Sequence, residues 1–223
     1  MTGSEVGRTT VKRASERGCY DMAAITSILA AGLIAHVGVI ASDGTPVVIP
    51  MGYALDGESV LIHGSVASRL MRAKSQVCVT VTILDGLVVA RSLFNSSMNY
   101  RSVVVLGVPE VLVGDAKLAA LLRLSDALLP GRVGHARAPS EQEVRATTVW
   151  RLPLDEASAK VRTGPPIDEE EDLDLPYWAG VIPLRMLCGE PERDEACTDR
   201  AVPDDVRAVT ANINLRGGFR REL

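Results

Sequence analysis

One segment, residues 63–74 with the sequence HGSVASRLMRAK, combines residue types that proteins use to hold a phosphate group. Ser65 and Ser68 offer hydroxyl groups, and Arg69 and Arg72 add fixed positive charge. The segment follows a predicted strand and is predicted to begin a helix, whose free N–H groups and dipole would favour an anion. A serine-capped surface helix can have the same composition, so these residues alone leave both interpretations open.

A second candidate segment is ARSLFNSSMNYRSVVVLG, residues 90–107. It places more polar residues between two apolar strands than a hairpin turn requires. Polar inserts between rigid strands often line ligand sites, although a simple turn remains an alternative. The polar side chains of this insert are Asn95, Ser96, Ser97, Asn99, Tyr100, Arg101 and Ser102.

The histidines and cysteines do not predict a metal site. His36 lies in an apolar alternating run and is interpreted as a core or interface residue, whereas His63 lies beside the phosphate-type segment. No HxxxH, CxxC or carboxylate spacing accompanies them, so neither structural zinc nor a disulfide framework is expected. The chain also lacks the GxSxG and GxGxxG patterns of serine hydrolases and dinucleotide-binding folds.

Composition excludes several classes of partner. With 24 Lys and Arg against 28 Asp and Glu, the net charge of −4 disfavours general binding to nucleic acid or anionic lipid. The uncharged stretch 22–41 contains Gly32 and Gly38 and changes from Ala-rich to β-branched, which favours a helix followed by a strand over a membrane span. Without a recognisable secretory signal, a cytoplasmic protein is expected.

The elements that must position these segments are mainly strands. Three Asp-Gly pairs, at 43–44, 56–57 and 85–86, lie between runs rich in Val and Ile and predict tight hairpin turns. The predicted strands are 33–41, 46–55, 59–63, 76–84, 87–93, 101–113, 145–154, 159–162 and one within 177–187. The predicted helices are 22–33, 65–73, 115–129 and 203–214.

This order of elements favours an antiparallel β-barrel with added helices over a βαβ sheet. Residues 1–18 are predicted to be an arm with weak structure of its own, 19–187 the barrel domain, and 188–223 a polar tail. The acidic run at 168–174 is interpreted as a solvated loop.

Six collinear segments within residues 13 to about 187 resemble the pyridoxamine 5'-phosphate oxidase-like FMN-binding split-barrel proteins, in the branch that includes the nitroimidazole-resistance proteins. The segments are ERGCYDMAAITSIL, HVGVIASDGTPVVIPMGY, LIHGSVASRLMR, VCVTVTILDGLVVARS, SMNYRSVVVLG and YWAGVIPL.

The resemblance implies a six-stranded antiparallel split β-barrel that forms a homodimer, with FMN in a cleft at the subunit interface. It assigns the FMN phosphate to Ser65, Ser68 and Arg69. It assigns the flavin ring and the rest of the cleft to Pro50, Met51, His63, Thr80, Thr82, Tyr100, Arg101, Ser102 and Trp178.

The resemblance also implies an FMN-dependent oxidoreductase acting on a small molecule, either pyridoxamine 5'-phosphate oxidase-like or nitroreductase-like, with His63 and Tyr100 as candidates for proton transfer. At the position where many relatives have two histidines, this chain has Phe94-Asn95-Ser96-Ser97. FMN binding is expected despite this difference, but no reaction that depends on those histidines is assumed for this chain. The alternatives are a flavin carrier without turnover, or the same barrel binding F420 or haem, for which only His36, His63 and His135 could serve as ligands.

Overall fold

The computed structural model describes residues 7–73, 75–197 and 200–216, with side chains described up to residue 213. The strands are β1 (Gly18–Cys19), β2 (Ile34–Ile40), β3 (Pro46–Leu55), β4 (Ser59–Ser65), β5 (Val77–Val89), β6 (Ser97–Gly107), β7 (Glu110–Val111), β8 (Thr147–Pro153), β9 (Ala157–Arg162) and β10 (Gly180–Pro183). The helices are α1 (Met22–Ala31), α2 (Gly114–Leu128), α3 (Glu141–Arg145) and α4 (Asp204–Arg216). None of the described helices is both long and apolar enough to cross a membrane.

The strands form one antiparallel sheet in the order β1-β9-β6-β5-β2-β3-β4-β8-β7, and β10 pairs with β5. The sheet curls until distant strands meet. This is seen at Gly107 of β6, where an added Cβ atom would lie 2.8 Å from Leu152 Cδ1 of β8. The predicted antiparallel split barrel is therefore confirmed, with ten strands rather than six. The short strands β1, β7 and β10 extend its edges.

The barrel interior is filled by aliphatic side chains and one tryptophan. Val37, Val79 and Val103 of the neighbouring strands β2, β5 and β6 are buried in the same cluster as Trp150 of β8, near the other end of the sheet. Burying each such side chain contributes about 1.5–3 kcal/mol relative to leaving it exposed. The core therefore holds the two ends of the curled sheet together.

Helix α1 packs into the same core. It begins after Asp21, whose carboxylate accepts a hydrogen bond of 2.9 Å from the backbone N–H of Ala24. Ile25 and Leu29 are buried in the cluster, and the hydroxyl of Tyr53 donates to the carbonyl of Leu29. The helix thus ties the end of β3 to the core.

Helix α2 packs on the outer face of the sheet, not in the barrel. Leu124 contacts a second buried cluster that contains Ala54 of β3, Leu61 of β4 and Val149 of β8. These three residues alternate with residues that face the barrel core, as the two-residue period of a strand requires. One part of the outer face is thereby covered by a helix.

Two of the three predicted Asp-Gly turns are confirmed, and the third is wrong. Gly44 and Gly57 adopt positive φ angles of 83° and 58° in the β2–β3 and β3–β4 turns. Asp85 instead forms a β-bulge inside the continuous strand β5. The hairpin turn lies at 90–96, and the polar residues 97–102 of the expected loop belong to strand β6.

The physical reason for the bulge is an ion pair. The guanidinium of Arg101 donates hydrogen bonds of 2.9 and 2.7 Å to the carboxylate of Asp85. Both side chains are largely buried, and β10 pairs along the following residues from Gly86 to Val89. These contacts keep the chain extended where the local sequence favours a turn.

The predicted helix over 65–73 is also wrong, because only a 3₁₀ turn forms at Leu70–Arg72. The backbone N–H of Ser68 donates to the carbonyl of Ser65 at 2.9 Å, and the Ser65 hydroxyl accepts from Ala67 N–H at 3.2 Å. This turn geometry replaces the free helix N-terminus that the sequence suggested.

Residues 7–17 of the expected arm pack against the chain's own barrel. The guanidinium of Arg8 donates to both carboxylate oxygens of Glu156, at distances of 2.6 to 3.0 Å. The ammonium group of Lys160 donates to the carbonyl of Arg13 at 3.0 Å. Charged contacts therefore hold the described part of the arm against the barrel, and a 3₁₀ turn forms at Ser15–Arg17.

Gly32, the residue that ends α1, should tolerate no side chain. A Cβ atom there would lie 2.5 Å from Val81 Cγ1 and 2.6 Å from the Tyr53 hydroxyl. We expect Gly32→Ala to lower the free energy of unfolding in urea by about 1–3 kcal/mol, as overpacking does. Gly189→Ala, at a position with no atom within 4 Å, is the matched control and should leave it unchanged. Equal stabilities of the two variants would contradict this packing.

Candidate functional site

A cavity of about 1150 Å³ lies between the β2–β3 turn and the loop that follows β4, and is called the loop cavity below. Ser68, Arg69 and Arg72 line it together with the apolar side chains of Val47 and Ile49. Its volume is slightly above the usual range of small-molecule sites, which is about 300–1,000 Å³. The loop cavity is therefore large enough for a nucleotide-sized ligand.

The charges in the loop cavity favour an anion. Among the described residues, the Arg69 guanidinium has no ion-pair or hydrogen-bond partner. Arg72 donates to the carbonyl of Ala67 at 2.8 Å, which fixes the loop without neutralising the charge. Asp43 lies at the rim, and hydrogen bonds from Thr45 hold its pKa below its usual value. Two fixed cations thus face one carboxylate.

A second group of residues lies on the outer face of the sheet, opposite to the core. The register pairs Gly52 of β3 with Ile34 of β2 and Tyr53 with Ile62 of β4, which places Gly52 beside His63. A Cβ atom on Gly52 would meet no other atom within 4 Å. The backbone at Gly52, which no side chain covers, therefore lies beside the imidazole of His63.

Two adjoining cavities open above this backbone, and together they are called the trough. The larger, of about 380 Å³, lies beneath helix α2, and the smaller, of about 40 Å³, reaches Gly52 and Leu33. Both are lined by His63, Leu124 and Leu128. The trough is thus a groove with both apolar and polar walls, and His63 lines both of its parts.

The electrostatics of the trough favour a neutral imidazole. Desolvation lowers the pKa of His63 from its ordinary value, although one side of the ring remains open to the groove. The ring nitrogens of His63 have no hydrogen-bond partner among the described residues. A neutral imidazole with a free nitrogen is the form that binds a transition metal.

The far end of the trough carries an ion pair. Arg137 donates hydrogen bonds of 2.8 and 2.9 Å to the carboxylate of Glu143. These bonds, with those from Ser140, lower the pKa of Glu143 to about 2, and the same pair raises the pKa of Arg137. Arg137 therefore stays charged beside the leucines of α2.

A third cavity, of about 670 Å³, continues from the trough past Gly32 and Leu33 and is called the C-terminal chamber. Its walls include His36, Pro50 and Thr82, as well as residues near the C-terminus. Pro50 and Thr82, which the resemblance assigns to the flavin, therefore lie apart from Ser68 and Arg69.

The remaining predicted residues line none of these cavities. Thr80 pairs with His36 across the strands, and its hydroxyl lies 3.8 Å from Cys78 Sγ. Met51 packs against the barrel core, and Ser65 accepts the loop hydrogen bond described above.

Four further predicted residues lie on or near the β5–β6 hairpin. Tyr100 pairs with Leu84 and Arg162, Ser102 donates to the carbonyl of Lys160 at 3.3 Å, and Arg101 binds Asp85. Trp178 is mostly exposed and lies over Gly180. The single chain thus brings Ser68 and Arg69 together but not with these residues.

The sequence did not reveal the trough residues Gly52, Leu121, Leu124 and Leu128. The sequence predicts the helix 115–129 but not that Leu121 and Leu128 line a groove. A glycine in the interior of a strand often marks close approach by a ligand, and Gly52 was the available signal. Within the described residues, no cluster of three or more His, Cys, Asp or Glu side chains could hold a bare metal ion.

Comparison with known proteins identifies relatives of this fold. The family model for pyridoxamine 5'-phosphate oxidase matches residues 21–161. The flavocytochrome Anf3 from Azotobacter vinelandii is 43% identical, with 90% of this chain and 95% of that chain covered and a TM-score of 0.85. An FAD and haem binding protein from Mycobacterium smegmatis is 36% identical, covering 87% and 97% of the two chains with a TM-score of 0.82.

A more distant structure shares the fold alone. A 5-nitroimidazole antibiotic resistance protein from Bacteroides thetaiotaomicron is 22% identical, covering 65% of this chain and 86% of that chain with a TM-score of 0.55. A comparison with curated protein sequences gave no match. The family model covers more than half of the chain, and the same segments carry the sequence resemblance. This chain therefore belongs to the pyridoxamine 5'-phosphate oxidase family of flavin-binding split-barrel proteins.

Proposed function

We propose that this protein is a flavocytochrome-type oxidoreductase, with a flavin nucleotide in the loop cavity and a haem in the trough. The observation that carries the proposal is the position of His63, an imidazole with lowered pKa in an open groove beneath α2, in a chain 43% identical to a flavocytochrome. The chemistry that the two groups supply when bound is electron exchange with a small organic molecule and one-electron exchange through iron.

The loop cavity fits the flavin nucleotide. Ser68 and Arg69 line it, and the uncompensated guanidinium suits a phosphate group. FAD is proposed over the FMN expected from the sequence, because the cavity is spacious and the 36% identical relative is described as binding FAD. Extraction of the flavin and chromatography against FMN, FAD and F420 standards distinguishes these cofactors.

The residues that line the trough support a haem there. His63 would ligate the iron, the bare backbone at Gly52 leaves the space beside it free of side-chain atoms, and leucines of α2 would contact the ring. His36 lies in the C-terminal chamber, and His135 is exposed with its Nδ1 atom 3.0 Å from the carbonyl of Gly131. His63 is therefore the ligand that the geometry supports best.

Purified protein should show a Soret band that depends on His63. We expect His63→Ala to lose the band because the iron loses its ligand, and Gly52→Leu to lose it because the added side chain fills the trough. His36→Ala and His135→Ala are the controls and should retain the wild-type spectrum. Loss of the band in His36→Ala with retention in His63→Ala would contradict the assignment.

Flavin affinity should depend on Arg69. We expect Arg69→Gln to raise the dissociation constant of FAD about tenfold or more, because a charge-assisted phosphate contact is lost. The measurement is fluorescence titration of flavin-free protein. Arg145→Gln removes an exposed arginine whose one ion-pair partner among the described residues is Glu141, and it serves as the control. An unchanged affinity in Arg69→Gln would mean that the phosphate is held elsewhere.

We further propose that the protein is a homodimer with the flavin near the subunit interface, as the sequence resemblance implies. The outer face of β2, β3, β5 and β6 carries exposed apolar side chains, namely Ile40, Val48, Leu84, Leu87 and Met98. Large apolar side chains left exposed on a strand face favour an interaction site. No described strand or helix covers Val48, which is 64% exposed.

The tip of the β5–β6 hairpin extends this surface. Leu93 and Phe94 are 97% and 96% exposed. The loop is nevertheless well ordered, because the Ser92 hydroxyl accepts from Asn95 N–H at 3.1 Å. A fixed loop that presents two large apolar side chains supports contact with a second subunit.

Sedimentation velocity should detect the dimer and its dependence on Val48. We expect Val48→Asp to give monomers, because a charge would be buried without a partner at the interface. Val108→Asp changes an equally exposed valine outside this face and should leave the dimer intact. A wild-type protein that sediments as a monomer at micromolar concentration would overturn the dimer without affecting the two cofactor assignments.

A further inference from the structure

The trough has one wall that does not belong to the barrel. It is formed by residues 129–140, which join α2 to α3 and are called the linker below. Arg137 and Pro139 of the linker line the trough together with His63 of β4 and Thr147 of β8. The position of the linker therefore sets the width of the trough on this side.

The linker is weakly held by the rest of the described chain. None of its residues is buried, and only Pro130, Arg132 and Pro139 are half-buried. Within the described residues, its hydrogen bonds stay inside the linker or reach α2, α3 and α4, and none reaches a barrel strand. Segments with few buried contacts and an exposed backbone open locally at a low cost in free energy.

Two glycines give the linker its turns. Gly131 and Gly134 have φ angles of 80° and 101°, which residues with a side chain rarely adopt. A Cβ atom at either position would meet no other atom within 4 Å. Loop positions of this kind absorb the backbone rotations of a hinge.

One ion pair ties the linker to the C-terminal part of the chain. The guanidinium of Arg132 donates to the carboxylate of Asp205 on α4 at 3.0 Å, and the Asp205 side chain is only 7% exposed. The hydrogen bond from Arg132 and the nearby His135 lower the pKa of Asp205, so the carboxylate is charged at neutral pH. Removing one partner of such a pair leaves the other partly desolvated without a counter-charge.

Helix α4 connects this ion pair to the barrel. Asp205 lies at the start of the helix, and Ile213, eight residues further along, lines the C-terminal chamber with Leu33 and Ile34. Eight residues of α-helix span about 12 Å. The helix therefore reaches from the linker to the outer face of β2.

We propose that the linker is a gate for the haem and that the ion pair between Arg132 and Asp205 holds this gate closed. In the closed form, which the structure shows, the linker is a fixed wall of the trough. Neither Arg132 nor Asp205 lines the trough, so the pair acts on the linker and not on the bound group. This inference rests on the proposed haem in the trough.

A gate has a kinetic signature that a binding contact lacks. The haem passes it on entry and on exit, so weakening the ion pair raises the rates of haem binding and of haem release by the same factor. The affinity for haem then stays unchanged. A residue that stabilises the bound haem would instead change the affinity.

The test measures both rates in wild type and in Asp205→Asn. Release is followed from the holoprotein by transfer of haem to excess apomyoglobin, and binding by stopped-flow mixing of haem with haem-free protein. We expect both rates to rise about tenfold in Asp205→Asn, because a hydrogen bond between charged groups is lost from the closed form.

Two further variants make the test specific. Arg132→Gln should raise both rates as Asp205→Asn does, and the double variant should be no faster than either single variant, because the two residues act through one contact. Glu141→Gln breaks an exposed ion pair between α3 residues Glu141 and Arg145 and should keep the wild-type rates.

Hydrogen exchange followed by mass spectrometry gives a readout that needs no haem. Peptides from residues 129–137 should exchange about tenfold faster in Asp205→Asn, because the backbone N–H groups of the linker meet water when it opens. Peptides from β2 and β5 should exchange as in wild type.

Three results in a protein that shows a Soret band would overturn the gate alone. They are wild-type release of haem from Asp205→Asn, faster release with an unchanged binding rate, and unchanged hydrogen exchange of the linker. A wild-type protein without a Soret band would overturn the haem assignment, and the gate with it.

Discussion

Side-chain alternation along β3 and β4 is the constraint on which the site depends. Tyr53 and Ile62 face the barrel core, so their neighbours Gly52 and His63 must face outward. A register shift of one residue would exchange the faces and turn the imidazole into the aliphatic core. The packing energy of the core therefore also orients the histidine, with no hydrogen bond to it from the described residues.

The outer face becomes a site only because other elements cover it unevenly. Helix α2 buries Ala54 and Leu61 but leaves a groove beside His63, and the segment after β10 covers the face near His36. Close packing continues up to Gly32, where an added side chain would collide with Val81 and Tyr53. Rigid walls around an open groove suit a bound planar group better than a mobile surface would.

The sequence predicted the fold well where the determinants were local. Positive φ at Gly44 and Gly57 follows from the Asp-Gly turns, and the resemblance supplied the barrel. The turn predicted at 85–86 does not form, because an ion pair between Asp85 and Arg101 and the pairing of β5 with β10 override the local turn preference. For the candidate site, the sequence predicted Ser68 and Arg69 together, and both line the loop cavity although the helix expected to present them does not form. The trough depends on how α2 packs across β4, which no local pattern encodes.

In the proposed function, His63 holds the iron of a haem in the trough. The most direct measurement is X-ray diffraction from crystals of the holoprotein at the iron absorption edge. The anomalous difference map should contain one strong peak per chain, within bonding distance of a His63 ring nitrogen and above Gly52. A peak beside His36, or no iron peak from protein expressed with an ample haem supply, would contradict the claim.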